Sequence, residues 1–256
     1  MIHEKWYQVE LSDVDFQQRI KLSALANKFQ DLGNIASQAL GVGFETIYHE
    51  YGVVWALVRL RLDIDRLPTL GENVLIRTWA YKPKSLQFDR DFSVTDEEGQ
   101  VIIRAVSAWV ILDYETRRIR KASTIIHQNY QDPGLDRAIH CVLGRMKPQG
   151  QLIEKYQKVI GYSDIDLNGH LNNSKYIDFI MDCLSLDEHR RFQVQSLEVS
   201  FVSESLAGDT LTMYEDRSRI EDHVLYIEGV NQTKNQVSFR SQLLLSPTIK
   251  NEGLGI

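Results

Sequence analysis

The chain has 256 residues, 43% hydrophobic and 25% charged, and its 29 Lys and Arg against 35 Asp and Glu give a formal charge of −6. That composition is ordinary for a globular protein, and the negative balance excludes general affinity for nucleic acid, which needs a basic field. Two cysteines, Cys141 and Cys183, are too few for a disulfide framework or a cysteine metal site, and both are expected to be reduced, buried and apolar in role.

The N-terminus, Met1-Ile2-His3-Glu4-Lys5-Trp6, has neither signal nor transit character. The most apolar stretch, 105–112, falls well short of the ~20 residues that span a bilayer. Neither secretion nor membrane insertion is expected.

In chain order, a short strand is predicted over 4–10. A helix follows over 22–40, with Leu22, Leu25, Ala26, Phe29, Leu32, Ile35, Ala36 and Ala39 on one stripe, ended by Gly41 and Gly43. Strands are predicted over 52–64, 72–81, 86–95 and 100–113. In the first of these Val54, Ala56, Val58, Leu60 and Leu62 alternate, and Asp96-Glu97-Glu98-Gly99 makes a hairpin turn. Residues 123–151, with Asp132-Pro133-Gly134 and Pro148-Gln149-Gly150, are long for an internal loop and read as a linker with a short helix at 135–143. The order then recurs: a short strand over 156–162, a helix over 174–184 with Asn172, Asn173 and Ser174 as N-cap candidates, and strands over 195–204, 209–217, 220–230 and 236–246.

The recurrence extends to the residues. Segments 11–31 and 162–182 align at an offset of 151 with Ser12/Ser163, Asp13/Asp164, Asp15/Asp166, Ser23/Ser174 and Asp31/Asp182 identical. One helix cannot cover both faces of a five-stranded sheet. The predicted fold is therefore α+β, each half an antiparallel sheet wrapped round its helix, with the halves pairing edge to edge.

Chemistry is expected where the copies differ. The first has Gln17 and Arg19; the second has Asn168 and His170, in Asp166-Leu167-Asn168-Gly169-His170-Leu171-Asn172-Asn173 just ahead of the helix. Such a loop sets an imidazole, an amide and carboxylates beside the free N–H groups of a first helical turn, the parts that hold a carbonyl oxygen as it becomes negative. The same residue types also serve as plain turn and capping residues. Glu204 is a second candidate, although alternation with Leu197, Val199 and Phe201 puts it on the Glu198 side unless a bulge or strand end re-aims it. His189 and His223 are isolated and expected to be exposed, so no metal site is predicted. No Gly-x-Ser-x-Gly elbow, phosphate-cradling Gly-rich loop or aromatic–basic RNA motif is present.

At Asp166-x-Asn168-x-His170-x-Asn172-Asn173-x-x-Tyr176 the sequence resembles the fatty acyl-ACP thioesterases, the plant FatA/FatB type and bacterial relatives. Trp109-Val110-x-x-Asp113-x-x-Thr116-Arg117-Arg118 and Leu197-Glu198-x-x-Phe201-x-x-Glu204-Ser205 extend the likeness over nearly the whole chain. The resemblance implies two tandem hotdog domains paired as a pseudo-dimer: 1–122 with the acyl-chain pocket, a linker over 123–151, and 152–256 with the catalytic residues Asp166, Asn168, His170 and Glu204. Many plant members carry a Cys where Ser205 stands, so a thiolate there cannot be essential here. The family's Gln between Asn and His is Gly169. The long N-terminal extension of plastid forms is lacking, which gives the expectation of a bacterial, cytoplasmic enzyme.

The implied reaction releases a free fatty acid from acyl carrier protein without a cofactor, with Glu204 or His170 as base. Asn172 and Asn173 would contact substrate, and Phe29, Leu32, Trp55 and Leu57 would shape an acyl tunnel. Arg117, Arg118, Arg120 and Lys121 form the densest basic cluster for docking the acidic carrier, with Arg190 and Arg191 as another. The alternatives are an acyl-CoA thioesterase and a non-catalytic acyl-binding hotdog protein. The halves should satisfy each other's edge strands, and a homodimer is compatible.

Overall fold

The computed structural model describes residues 1–125 and 133–248. The first half contains β1 (Ile2–Gln8), α1 (Leu22–Ala39), α2 (Phe44–Tyr51), β2 (Val53–Ile64), β3 (Asn73–Ala80), β4 (Phe88–Thr95), β5 (Val101–Asp113) and β6 (Ile119–Arg120). The second contains β7 (Ile153–Val159), α3 (Asn173–Met181), α4 (Leu186–Arg191), β8 (Phe192–Phe201), β9 (Thr210–Asp216), β10 (Val224–Asn231) and β11 (Gln236–Pro247). All strands join one antiparallel sheet in the order β1-β3-β4-β5-β2-β8-β11-β10-β9-β7, with β6 on β5. The halves meet at β2 and β8, where Leu60 pairs with Val199 and Leu62 with Leu197. Among the described residues the halves share an edge only at this centre, and β1 and β7 lie at the ends of the sheet.

The two helices α1 and α3 pack against each other inside the curl of the sheet. Leu25, Phe29 and Leu32 of α1 and Tyr176, Ile177 and Ile180 of α3 enter one core with Ile76, Phe92, Leu197, Ile227 and Phe239 from both sheet halves. Phe29 stacks on Phe92 with ring centroids 4.6 Å apart. Ile35 and Ala39, expected on the buried stripe of α1, face outward instead, and Gly33 joins the stripe. Among the described residues no helix is long and apolar enough to cross a membrane.

Two helices escape the periodicity. After Gly41 reverses the chain at φ 75°, α2 starts at an extended Gly43 and ends on Gly52 at φ 61°. The glycines that end α1 therefore also begin its successor. A capping box opens α4, Ser185 and Glu188 each receiving the other's backbone N–H. At six residues α4 is too short for its period to show. His189, expected to be exposed, is half-buried with Nε2 3.1 Å from the Met181 carbonyl. Cys183 is buried, and burial pushes its thiol up to about 12; Cys141, expected to be buried, is only half so.

Of the expected linker, residues 126–132, including Asp132, lie outside the described residues. No helix forms at 135–143. The buried Asp91 of β4 captures that segment instead, accepting from Arg137 Nε at 2.9 Å and from the Ala138 amide at 2.8 Å. Tyr81 donates to the Asp136 carbonyl at 2.8 Å. Farther along, Asp216 accepts from the Gln149 and Gly150 amides, both at 2.7 Å. These bonds to two buried carboxylates hold the segment extended and leave the i→i+4 helical ladder unmade.

Candidate active site

The loop ahead of α3 is built by Asp166. Its Oδ1 accepts from the Asn168 amide at 2.8 Å and the His170 amide at 3.2 Å, and its own N–H donates to the His170 carbonyl at 2.8 Å. Closing so tight a turn requires a left-handed residue, which Gly169 supplies at φ 77°. The chain then enters α3 through Asn172, whose Oδ1 accepts from the Ser174 amide at 2.9 Å. Asn172→Ala should cost about 1 kcal/mol of stability, read as a lower denaturant midpoint at unchanged slope. That capping bond uses the Ser174 amide, and the Asn172 carbonyl takes the Lys175 amide. Two of the N–H groups expected to face an oxyanion are therefore already engaged.

The first half folds the same loop. Asp15 Oδ1 accepts from the Gln17 and Arg19 amides at 2.8 and 3.0 Å, and Gln18 takes the left-handed place of Gly169 at φ 62°. Only the side chains differ, with Gln17 and Arg19 in the places of Asn168 and His170. Arg19 bonds Gln17 and reaches the His189 carbonyl at 3.4 Å. The amide of Ile20 donates to Pro68 O as that of Leu171 does to Ser205 O, so Leu67 stands where Glu204 stands in the second half.

Strand alternation is broken just before Glu204. β8 ends at Phe201, and the amides of Val202 and Ser203 both donate to the single carbonyl of Ser238, at 2.8 and 3.1 Å. Two donors on one acceptor is a bulge, and it turns the chain so that Glu204 points to the loop of the second half. Glu204 Oε2 lies 3.4 Å from His170 Nε2, and Oε1 pairs with Arg117 Nη2 from the first half. Ser205 turns the other way: it is fully buried, with Oγ 2.9 Å from Ser238 Oγ and accepting from Asn231 Nδ2.

Burial, then Arg117, holds the His170 imidazole below its usual pKa; Lys234 acts in the same direction and Asp166 opposes. His170 is therefore neutral at pH 7. A cavity of about 830 Å³ opens beside the group and is lined by Asp166, Asn168, His170, Asn172, Asn173 and Glu204. It continues into the first half between α1 and the sheet, past Trp55, Leu57, Phe88 and Val110. Among the described residues no three His, Cys, Asp or Glu side chains gather as metal ligands would.

Residues 1–130 match the family model of the acyl-ACP thioesterase N-terminal domain, and residues 147–244 that of the C-terminal domain. The chain belongs to the acyl-ACP thioesterase family. It is 24% identical over 208 residues to the chloroplastic acyl-[acyl-carrier-protein] hydrolase FATB1 of Cuphea viscosissima, covering 73% of this chain and 48% of that one. It is 23% identical over 237 residues to the chloroplastic oleoyl-acyl carrier protein thioesterase 1 of Arabidopsis thaliana, covering 82% and 62%. The chain thus spans about half to three fifths of the length of these plant relatives. The crystal structure of an acyl-ACP thioesterase from Bacteroides thetaiotaomicron superimposes with a TM-score of 0.82 at 25% identity, over 96% of this chain and 98% of that one. The tandem hotdog architecture of the family is the fold of this chain.

Against that family frame, the expected tunnel residues divide. Trp55 and Leu57 line the cavity, Trp55 donating from Nε1 to Val42 O at 3.0 Å. Phe29 lies behind the wall, on a separate void of about 20 Å³ shared with Trp109 and Phe201, and Leu32 is core. The basic cluster divides too. Arg118 and Lys121 are exposed, Arg120 pairs with Asp113 at 2.9 Å, and Arg117 turns inward to Glu204. Sequence reading missed Asn27, Gln30 and Asn34 of α1, which line the cavity. Their i, i+3, i+7 spacing beside the apolar stripe was the available signal.

Proposed function

We propose that this chain hydrolyses the thioester between a fatty acyl group and the phosphopantetheine arm of acyl carrier protein, releasing free fatty acid during fatty-acid synthesis. The observation that carries the reading is the 3.4 Å approach of His170 to Glu204 at a cavity deep enough for an acyl tail. A carbonyl carbon placed beside the pair is attacked by water, whose proton passes to Glu204 and His170 acting together as one base. Asn168 directs one side-chain N–H toward Asp166, 3.4 Å away, and its second donor serves the carbonyl oxygen as negative charge builds. When the tetrahedral intermediate collapses, the C–S bond breaks and the held proton returns to the departing sulfur, giving acid and free thiol.

The test is to incubate the pure protein with a panel of acyl-ACPs and matched acyl-CoAs and measure released acid. Faster release from the carrier protein is expected. Equal or faster release from CoA would move the assignment to an acyl-CoA thioesterase. Binding of acyl chains without release would leave an acyl-binding protein.

The tail is assigned to the first-half cavity. Gly33 of α1 lines it, and a Cβ added there meets Arg90 Cδ at 3.6 Å and Phe92 Cζ at 3.8 Å, ordinary contact distances. Gly33→Ala should fit and add about 0.5–1 kcal/mol of stability, as Gly-to-Ala does inside helices. Gly33→Leu fills the cavity, and release should shift toward shorter acyl chains. A chain-length profile unmoved by Gly33→Leu would place the tail elsewhere.

A further inference from the structure

Arg117 belongs to the first half, yet its guanidinium meets the carboxylate of Glu204 in the second. It is carried on the tight turn between β5 and β6. There the Arg117 amide donates to Asp113 O at 2.9 Å, the Asp113 amide to Arg118 O at 2.9 Å, and the Thr116 amide to Asp113 Oδ1 at 2.9 Å. This scaffold holds Arg117 at φ 56°. A left-handed, non-glycine residue costs about 1 kcal/mol or more and persists where the surroundings over-determine it.

The side chain is poised as well. Arg117 Nε is buried without a hydrogen-bond partner, so the contact runs through Nη2. Glu204 sits on a loop beyond the end of β8 and is 41% exposed. Among the described residues, the side chains against its carboxylate are the cationic Arg117 and the imidazole of His170, while Lys234 Nζ donates at 3.0 Å to its main-chain carbonyl. A half-exposed carboxylate on a loop has several rotamers open to it, and Arg117 selects the one that faces His170.

We propose that Arg117 is a positioning residue, through which the first half fixes Glu204 toward His170 and so completes the site of the second half. The inference rests on the thioesterase reading of that site. It reassigns Arg117 from carrier docking to the reacting groups. The charged and titratable groups facing His170 and Glu204 are Arg117, Asp166 and Lys234, with Tyr114 beside Arg117. Removing the guanidinium takes away one of the two cations that hold imidazolium formation down, and His170 must then protonate at higher pH.

The test compares wild type with Arg117→Gly, Arg117→Gln and Arg117→Lys, using acyl-ACP and the small thioester acyl-pantetheine. Glycine suits the observed φ, so Arg117→Gly isolates the side chain from the backbone, and thermal melting confirms folding. The neutral variants should lose about 10- to 100-fold in kcat on both substrates, the scale of a misplaced catalytic group. The acid limb of their pH–rate profile should move to higher pH, and Arg117→Lys should restore part of the rate. A rise confined to KM for acyl-ACP, with acyl-pantetheine and the pH profile unchanged, would return Arg117 to docking and overturn the inference. Proton NMR titration of His170 gives a readout that needs no turnover: its midpoint should rise in Arg117→Gly, and an unmoved midpoint also overturns it. Full activity of His170→Ala and Glu204→Ala would instead overturn the underlying reading, so the two failures are separable.

Discussion

His170→Ala and Glu204→Ala should each lower kcat/KM on acyl-ACP by about 10²–10⁴-fold, the range that a positioned acid–base group supplies. The double variant should lose little more than either single one, because groups that act as a unit are grossly non-additive. Leu67, the counterpart of Glu204 in the first half, provides a control: Leu67→Glu puts a carboxylate at the matching place and should confer no second activity, since Gln17 and Arg19 replace the amide and imidazole. Steady-state rates on one acyl-ACP suffice. Wild-type turnover in both single variants would remove these residues from the chemistry. On the proposed function the acid limb of the wild type should fall below pH 6.5, because burial and Arg117 depress His170. Activity should be retained while the imidazole is neutral and be lost as pH drops through its lowered pKa.

The second large effect is on stability. Arg137→Ala strips the guanidinium from Asp91, a fully buried carboxylate on β4. Removing one partner of such a pair leaves an uncompensated charge and should cost about 3 kcal/mol at neutral pH. Burial already raises Asp91 above the usual carboxylate range, with Arg137, the Ala138 amide and Tyr81 opposing. Without Arg137 the rise is larger. A carboxyl with a raised folded pKa favours folding below that pKa and loses this contribution as pH climbs through it. The penalty of Arg137→Ala should therefore be full at neutral pH and shrink on acidification, in denaturant titrations at each pH. A penalty that is flat with pH would mean Asp91 is not the group left exposed to the change.

Much of this was legible from residues. The stripe Leu22, Leu25, Phe29 and Leu32 marked α1, and the recurrence of Ser-Asp-x-Asp marked two copies of one unit because the first Asp of each, Asp13 and Asp164, accepts from the residue three before it, Glu10 and Gly161. What stayed hidden was non-local. Period-two counting put Glu204 on the wrong side, since the bulge depends on Ser238, 34 positions later. Arg117 read as part of a basic cluster for carrier docking, because the charges beside it gave no hint that a turn in one half reaches a carboxylate in the other. The helix expected at 135–143 had a plausible pattern, but Asp91 offers its peptide groups better partners than a lone helical turn could. Local periodicity reports which face of an element is apolar; it is silent on what arrives from elsewhere in the chain.

The strained Gln18 carries a last consequence. A pair of identical units related by a twofold axis would display two equivalent centres, each competing for the same interior. Here the first half keeps the shape of the loop without the amide and imidazole, at the expense of a left-handed glutamine where glycine would be comfortable. On the proposed function, the interior of the first half serves the group in the second, so that one substrate would be housed across two modules. A tight-binding analogue of the substrate should accordingly saturate at one equivalent per chain, where two equivalent centres would take two.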